Sequence, residues 1–134
     1  MNTRLTLLLL GTLLSTVSLA QSSFQHCSAA FVSGRMLVDQ YSPKGTCRLN
    51  TKANGELSVW TINATDKETK AVSRIPFKVA IRDKDTQTLL LFSNDSFRQV
   101  NIRNVLTKCR KGDRIVLLTL DRQYALPHNE ILVE

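Results

Sequence analysis

Six cations crowd into seventeen residues of this 134-residue chain: Arg98, Arg103, Lys108, Arg110, Lys111 and Arg114, with Asp113 the one acid among them. A helix through this segment would set Arg103, Thr107 and Arg110 along one flank and turn Asn104, Lys108 and Lys111 outward. Such a field can hold a polyanion: nucleic acid, a phosphorylated glycolipid or an acidic polysaccharide. Two facts weigh against that reading. Cations in the last turn of a helix are stabilised by its dipole and by water without any ligand. No aromatic residue is interleaved with them, so base stacking is not offered.

Three thiols are the next candidates: Cys27, Cys47 and Cys109. A Cys27–Cys47 bond would close a loop of about twenty residues and stabilise the fold by roughly 3 kcal/mol on the chain-entropy estimate. One bond and one odd thiol is the simplest count, and the spacing leaves other pairings open. Cys109 falls on the apolar face of the expected helix, where a buried, inert thiol is the plain reading and a free, reactive thiol the sharper one. His26 and His128 suggest a metal with the cysteines, but the paired C-x-x-C or H-x-x-x-H spacing of a structural site is missing, so neither a metal nor a cofactor is expected.

The catalytic inventory is thin. G-x-S-x-G, P-loop and H-E-x-x-H patterns are absent, and Asp39, Asp83, Asp85 and Asp113 stand in turns, where such residues cap backbone amides. Trp60, Tyr41 and Tyr124 could line a sugar-binding face, although scattered aromatics in a β domain more often pack in its core or rim. Asn63-Ala64-Thr65 and Asn94-Asp95-Ser96 match the glycosylation sequon, which matters only in a eukaryotic host.

The elements that must position these groups are mostly strands. Ala29–Val32 and Arg35–Tyr41 flank Ser33-Gly34 as a hairpin. Residues 56–63 alternate, a polar loop follows from Ala64 to Val72, and Ile75, Phe77, Val79 and Ile81 alternate cleanly as a half-buried strand that Pro76 places at a sheet edge. Thr88–Ser93 is an apolar run expected to be a buried strand. Ile102, Val105, Leu106 and Cys109 share one face of a helix over 102–110, with Asn101 as N-cap, Val100 and Val105 spaced as a hydrophobic staple and Gly112 just beyond the end. Residues 114–120 and 129–133 close the pattern. Seven strands and one late amphipathic helix predict a mostly β domain over 21–134, an antiparallel β sandwich or a small α+β fold.

Residues 1–20 read as a cleavable signal peptide: Arg4, an apolar run from Leu5 to Leu14, then Ser18-Leu19-Ala20. The run is too short and too interrupted for a membrane span, so a soluble, exported product is expected, periplasmic or secreted. The whole chain carries a net charge of +7, 43% hydrophobic residues and five glycines, which excludes disordered and collagen-like classes. The Ala20-Gln21 junction resembles the signal cleavage of exported Bacteroidetes proteins, which favours a bacterial source.

Over residues 97–133 the order of amphipathic helix, Lys111-Gly112-Asp113, apolar strand, Leu126-Pro127 and final strand resembles the C-terminal β domain of the gliding-motility protein GldM, part of a Bacteroidetes secretion and motility machine. The chain departs from that pattern in having a cleavable signal in place of a membrane helix, in its shortness and in its cysteines. The resemblance implies a periplasmic protein–protein interaction module of β-sandwich type without catalytic residues. Three functions are therefore carried forward. The first is an exported, non-enzymatic module whose partner is a protein or an envelope component. The second is a polyanion binder using the basic helix, and the third a small thiol enzyme using Cys109.

Overall fold

The computed structural model describes residues 26–64 and 69–134. The expected signal peptide, residues 1–20, lies outside them. No helix among the described residues is long and apolar enough to cross a membrane.

β1 (His26–Val32) and β2 (Arg35–Met36) form the expected hairpin, with positive φ at both Ser33 (51°) and Gly34 (80°), the backbone of a two-residue turn that matches strand twist. The second strand stops at Met36 and not at Tyr41. Beyond it only Val38 bridges to Cys47, at the head of β3 (Cys47–Leu49). β4 (Glu56–Ala64) pairs antiparallel with β1 and with β5 (Thr69–Ile75). Residues 69–72 are thus strand where a loop was expected. β5 lies at a sheet edge, where solvated polar side chains are compatible with a backbone ladder and hide the alternation.

Pro76 also acts differently from its expected role. It stands between β5 and β6 (Phe77–Arg82), where the chain leaves one sheet for the other, so its missing N–H interrupts no ladder. β6 is an interior strand, flanked by β7 (Leu89–Leu91) and β9 (Arg114–Thr119). Between them come β8 (Val100–Asn101) and α1 (Ile102–Leu106), and after them β10 (Tyr124–Ala125) and β11 (Glu130–Val133).

Two sheets result. One runs β10-β1-β4-β5, with β2 added to β1 and β8 to β4; the other runs β3-β11-β9-β6-β7. The protein is mostly β, and most pairs are antiparallel, with β1–β10 and β3–β11 parallel. Leu57, Val59 and Ile75 of the first sheet share one core with Phe77, Val79, Ile115, Leu117, Ile131 and Val133 of the second. Each such side chain contributes about 1.5–3 kcal/mol of burial. Four of the eleven strands among the described residues escape sequence reading: β3, β8 and β10 are two or three residues long, too short for a period, and β5 is polar.

α1 adds Ile102, Val105 and Leu106 to the core. Asn101 caps it as expected, its Oδ1 accepting from the Arg103 N–H at 3.0 Å, and Val100 and Val105 are both buried. The helix is shorter than 102–110. After Leu106 the bonds tighten to three-residue steps, Lys108 N–H to Val105 O and Cys109 N–H to Leu106 O, and the chain turns at Gly112 with φ 98°.

Candidate functional site

The short helix breaks up the expected basic field. Arg103 turns its guanidinium onto the carbonyls of Thr51 (2.7 Å) and Ala53 (3.4 Å), where it ties down the loop before β4. Arg110 faces Asp83 at 2.9 Å and Asp85 at 3.5 Å. Backbone N–H groups of Thr86 and Asp85 hold the Asp83 carboxyl below its usual range, and Arg110 adds to this. The Asp39 carboxyl is lowered in the same way, chiefly by the Thr46 N–H. Lys108, Lys111 and Arg98 are exposed and lie outside helix and strand. Arg114 belongs elsewhere, on the outer face of the second sheet.

That face floors a groove of about 630 Å³ whose walls are the segments around Tyr41–Thr46 and Pro127–Asn129. Cross-strand register sets Arg82, Arg114, Leu132 and Arg48 in one row across β6, β9, β11 and β3. Arg48, Leu132 and Arg114 line the groove together with Glu130. Glu130 pairs with Arg82 at 3.0 Å. The walls are held by His128, whose Nε2 meets the Ser42 carbonyl at 2.7 Å and whose ring packs edge-on against Tyr41 at 5.3 Å. Because that carbonyl can only accept, Nε2 carries a proton, while Nδ1 is buried without a partner among the described residues. The Tyr41 phenol is pushed far above its usual value, first by burial and then by the neighbouring Cys27. Along the chain Arg48 and Arg114 stand on unrelated segments; only strand register brings them to one row.

Trp60 and Tyr41 do not make a common sugar platform. Arg74 lies over the Trp60 ring at 5.0 Å, whereas Tyr41 is engaged by His128.

The expected Cys27–Cys47 disulfide is not formed; all three cysteines are free thiols. The two residues border the same groove but belong to strands of different sheets. Cys47 points into the core, its Sγ 3.7 Å from the His128 carbonyl oxygen, while Cys27 is exposed at the start of β1. Burial pushes the Cys47 and Cys109 thiols up to about 11, with Asp39 and Asp113 respectively adding to the shift. Cys109 lies beyond the end of α1 and is half-buried, with Sγ 3.4 Å from the Val105 carbonyl oxygen, packed at the edge of the core.

The expected result with iodoacetamide near pH 8 is rapid modification of Cys27 alone in the native protein and of all three thiols in denaturant. Fast native labelling of Cys109 would instead favour the thiol-enzyme reading. The Cys47 and Cys109 thiols keep their protons in the fold at pH values where the unfolded chain loses them. Stability from this source is therefore full below about pH 9 and declines as pH rises toward 11.

A second surface stands out at the open edge of the same sheet. β7 was expected to be buried, yet Leu89, Leu90 and Leu91 are 42%, 67% and 50% exposed. β7 is the last strand of its sheet, paired among the described residues only with β6, and its side chains stay exposed on both faces. The Thr88 carbonyl and the Phe92 N–H bond to Asp83 and Val79 of the neighbouring segment at 2.9 and 2.8 Å. By the two-residue alternation of a ladder, Leu89 and Leu91 turn their N–H and C=O groups away from β6, toward the open edge. Gln87 through Ser93 carry no charge, so the edge lacks the lysine or aspartate that usually blocks strand addition.

No protein-family model, no curated protein and no solved structure matches the chain.

Proposed function

We propose that the protein is an exported, non-enzymatic interaction module that takes a strand from a protein partner onto β7. The observation carrying this reading is the uncharged leucine strand left open at a sheet edge. Natural domains protect such edges unless something pairs with them, and three exposed leucines in a row form a side-chain surface for a partner strand to cover. Main-chain bonds to Leu89 and Leu91 would supply affinity, and the leucine side chains on the two faces would supply selectivity. The signal-like leader over 1–20 and the resemblance of residues 97–133 to an envelope interaction domain support an exported setting, periplasmic or secreted and bacterial. The thin catalytic inventory and the raised Cys47 and Cys109 thiols support a binding role over a thiol enzyme. The polyanion reading has less support, since Arg103 and Arg110 already face carbonyls and carboxylates of the fold.

The test is photocrosslinking in the native host, with a benzophenone amino acid at position 91. A discrete protein adduct that disappears on Leu90→Lys is expected, because a charge there must be buried or expelled on strand addition. No adduct above background, or the same adduct from the Leu90→Lys protein, would defeat the proposal. Leu90 is mostly exposed, so the variant should melt like the parent protein.

A further inference from the structure

The groove of about 630 Å³ floored by Arg48, Leu132 and Arg114 lies away from β7, so a ligand there is independent of strand addition at that edge. Its charge is unbalanced in a specific way. Arg82 and Arg114 are directly opposite in the β6–β9 pair, and like charges in that position repel. Glu130 relieves Arg82 alone, reaching it over the buried Val116 between them. The Arg114 side chain is exposed and makes no ion pair or hydrogen bond among the described residues. Arg48 lies on the other side of β11, about 10 Å away across two strand spacings. Its contact with Glu134 is 3.2 Å long and largely solvated, the kind of surface pair that exchanges readily.

Between the two guanidinium stems lie apolar and semi-polar walls: Leu132 below, and Tyr41, Pro43 and Pro127 at the sides. A bare inorganic anion would leave those walls unfilled. A dense polyanion would bring repeated charge against Glu130 and no apolar body to cover the prolines. The volume falls within the range of ordinary ligand sites, and a planar carboxylate matches the fork of an arginine.

We infer that this groove binds a short acidic peptide segment, the carboxylate of an Asp or Glu side chain held by Arg114 with Arg48 assisting, and an adjacent apolar side chain set against Leu132, Tyr41 and the two prolines. Arg114 is the specificity-determining residue. The ligand carboxylate takes the place that no acid of the fold occupies.

A displayed library of random heptapeptides, panned against the protein and against Arg114→Gln, tests this. Recovered sequences should pair an acidic residue with a neighbouring apolar one. Synthetic copies should bind the Arg114→Gln protein about tenfold more weakly or worse, the effect of losing one charge-assisted bond. Replacing the peptide's acid by its amide should cause a similar loss, and Leu90→Lys should change nothing. Failure to enrich any sequence, enrichment of sequences without an acid, or equal affinity for Arg114→Gln overturns the inference. Loss on Leu90→Lys with retention in Arg114→Gln also overturns it, and places peptide binding at β7. Arg114 is exposed, so an unchanged thermal melt of Arg114→Gln is expected and separates lost binding from lost folding.

Discussion

Truncating Phe77 to alanine should destabilise the domain by about 3–5 kcal/mol, the range for a fully buried aromatic. Phe77 is 0% exposed and is the largest of the completely buried side chains. It sits where the chain passes from the first sheet into the second, directly after Pro76, and opposite Thr119 of β9. Its own backbone is doubly bonded to Phe97, N–H to O at 2.9 Å and O from N–H at 2.7 Å, and the two rings lie 6.4 Å apart. Phe92 continues the cluster at 6.2 Å from Phe97. Removing the ring would open a cavity bordered by both sheets, which cannot collapse without moving a strand. Since a small domain has only about 5–15 kcal/mol in total, a urea melt of Phe77→Ala should show a much lower midpoint or no folded baseline at all. The exposed Val72→Ala serves as the control and should be within about 0.5 kcal/mol of the parent. A loss below about 1 kcal/mol at Phe77 would mean the two sheets do not share one core.

The second large effect is expected at Asp113, which is 3% exposed. Its Oδ2 accepts the Arg110 N–H at 2.8 Å and its Oδ1 the Lys84 N–H at 3.0 Å. Its backbone donates to the Arg110 carbonyl and accepts the Val133 N–H at 2.9 Å. One residue therefore closes the turn after α1, anchors the turn before β7 and holds β11. Asp113→Ala would leave two backbone N–H groups without their charged acceptor. Hydrogen bonds to a charged group contribute about 1.5–3 kcal/mol each, so a loss of roughly 3 kcal/mol is expected, discounted for water that reaches the opened site. Asp113→Asn, which keeps one acceptor, should fall between Ala and the parent. Equal stability of Ala and Asp at this position would show that water satisfies both amides and that the carboxylate holds nothing in place. Because the Lys84 turn leads into β7, Asp113→Ala should also weaken crosslinking at position 91 without altering any leucine.

Part of the fold is plain in the residues themselves. The Ser33-Gly34 hairpin, the Asn101 cap, the buried face of α1 and the alternation at the start of β6 follow from short-range rules, since turn conformation, capping and side-chain period are set within a few residues. The mostly β class follows from them too. The role of Asp113 as an amide-capping turn residue is legible in outline, though its partner at Lys84, far off in sequence, is not.

Tertiary structure decided the rest because each remaining question concerned which segments lie side by side. Thr88–Ser93 has the composition of a buried strand, and nothing local states that it falls last in its sheet with its three leucines left exposed. Cys27 and Cys47 have a plausible spacing for a bond, but their strands belong to different sheets and their side chains take different environments. The six cations from Arg98 to Arg114 look like one field along the chain. The early end of α1 and the register of β9 turn them toward carbonyls, carboxylates, solvent and a groove. Arg48 and Arg114 are 66 positions apart, and a one-residue slip of either strand would send its arginine into the core. The sequence by itself determined the local conformations and the charge the molecule carries; pairing and register across the sheets decided where that charge and the uncovered leucines meet solvent.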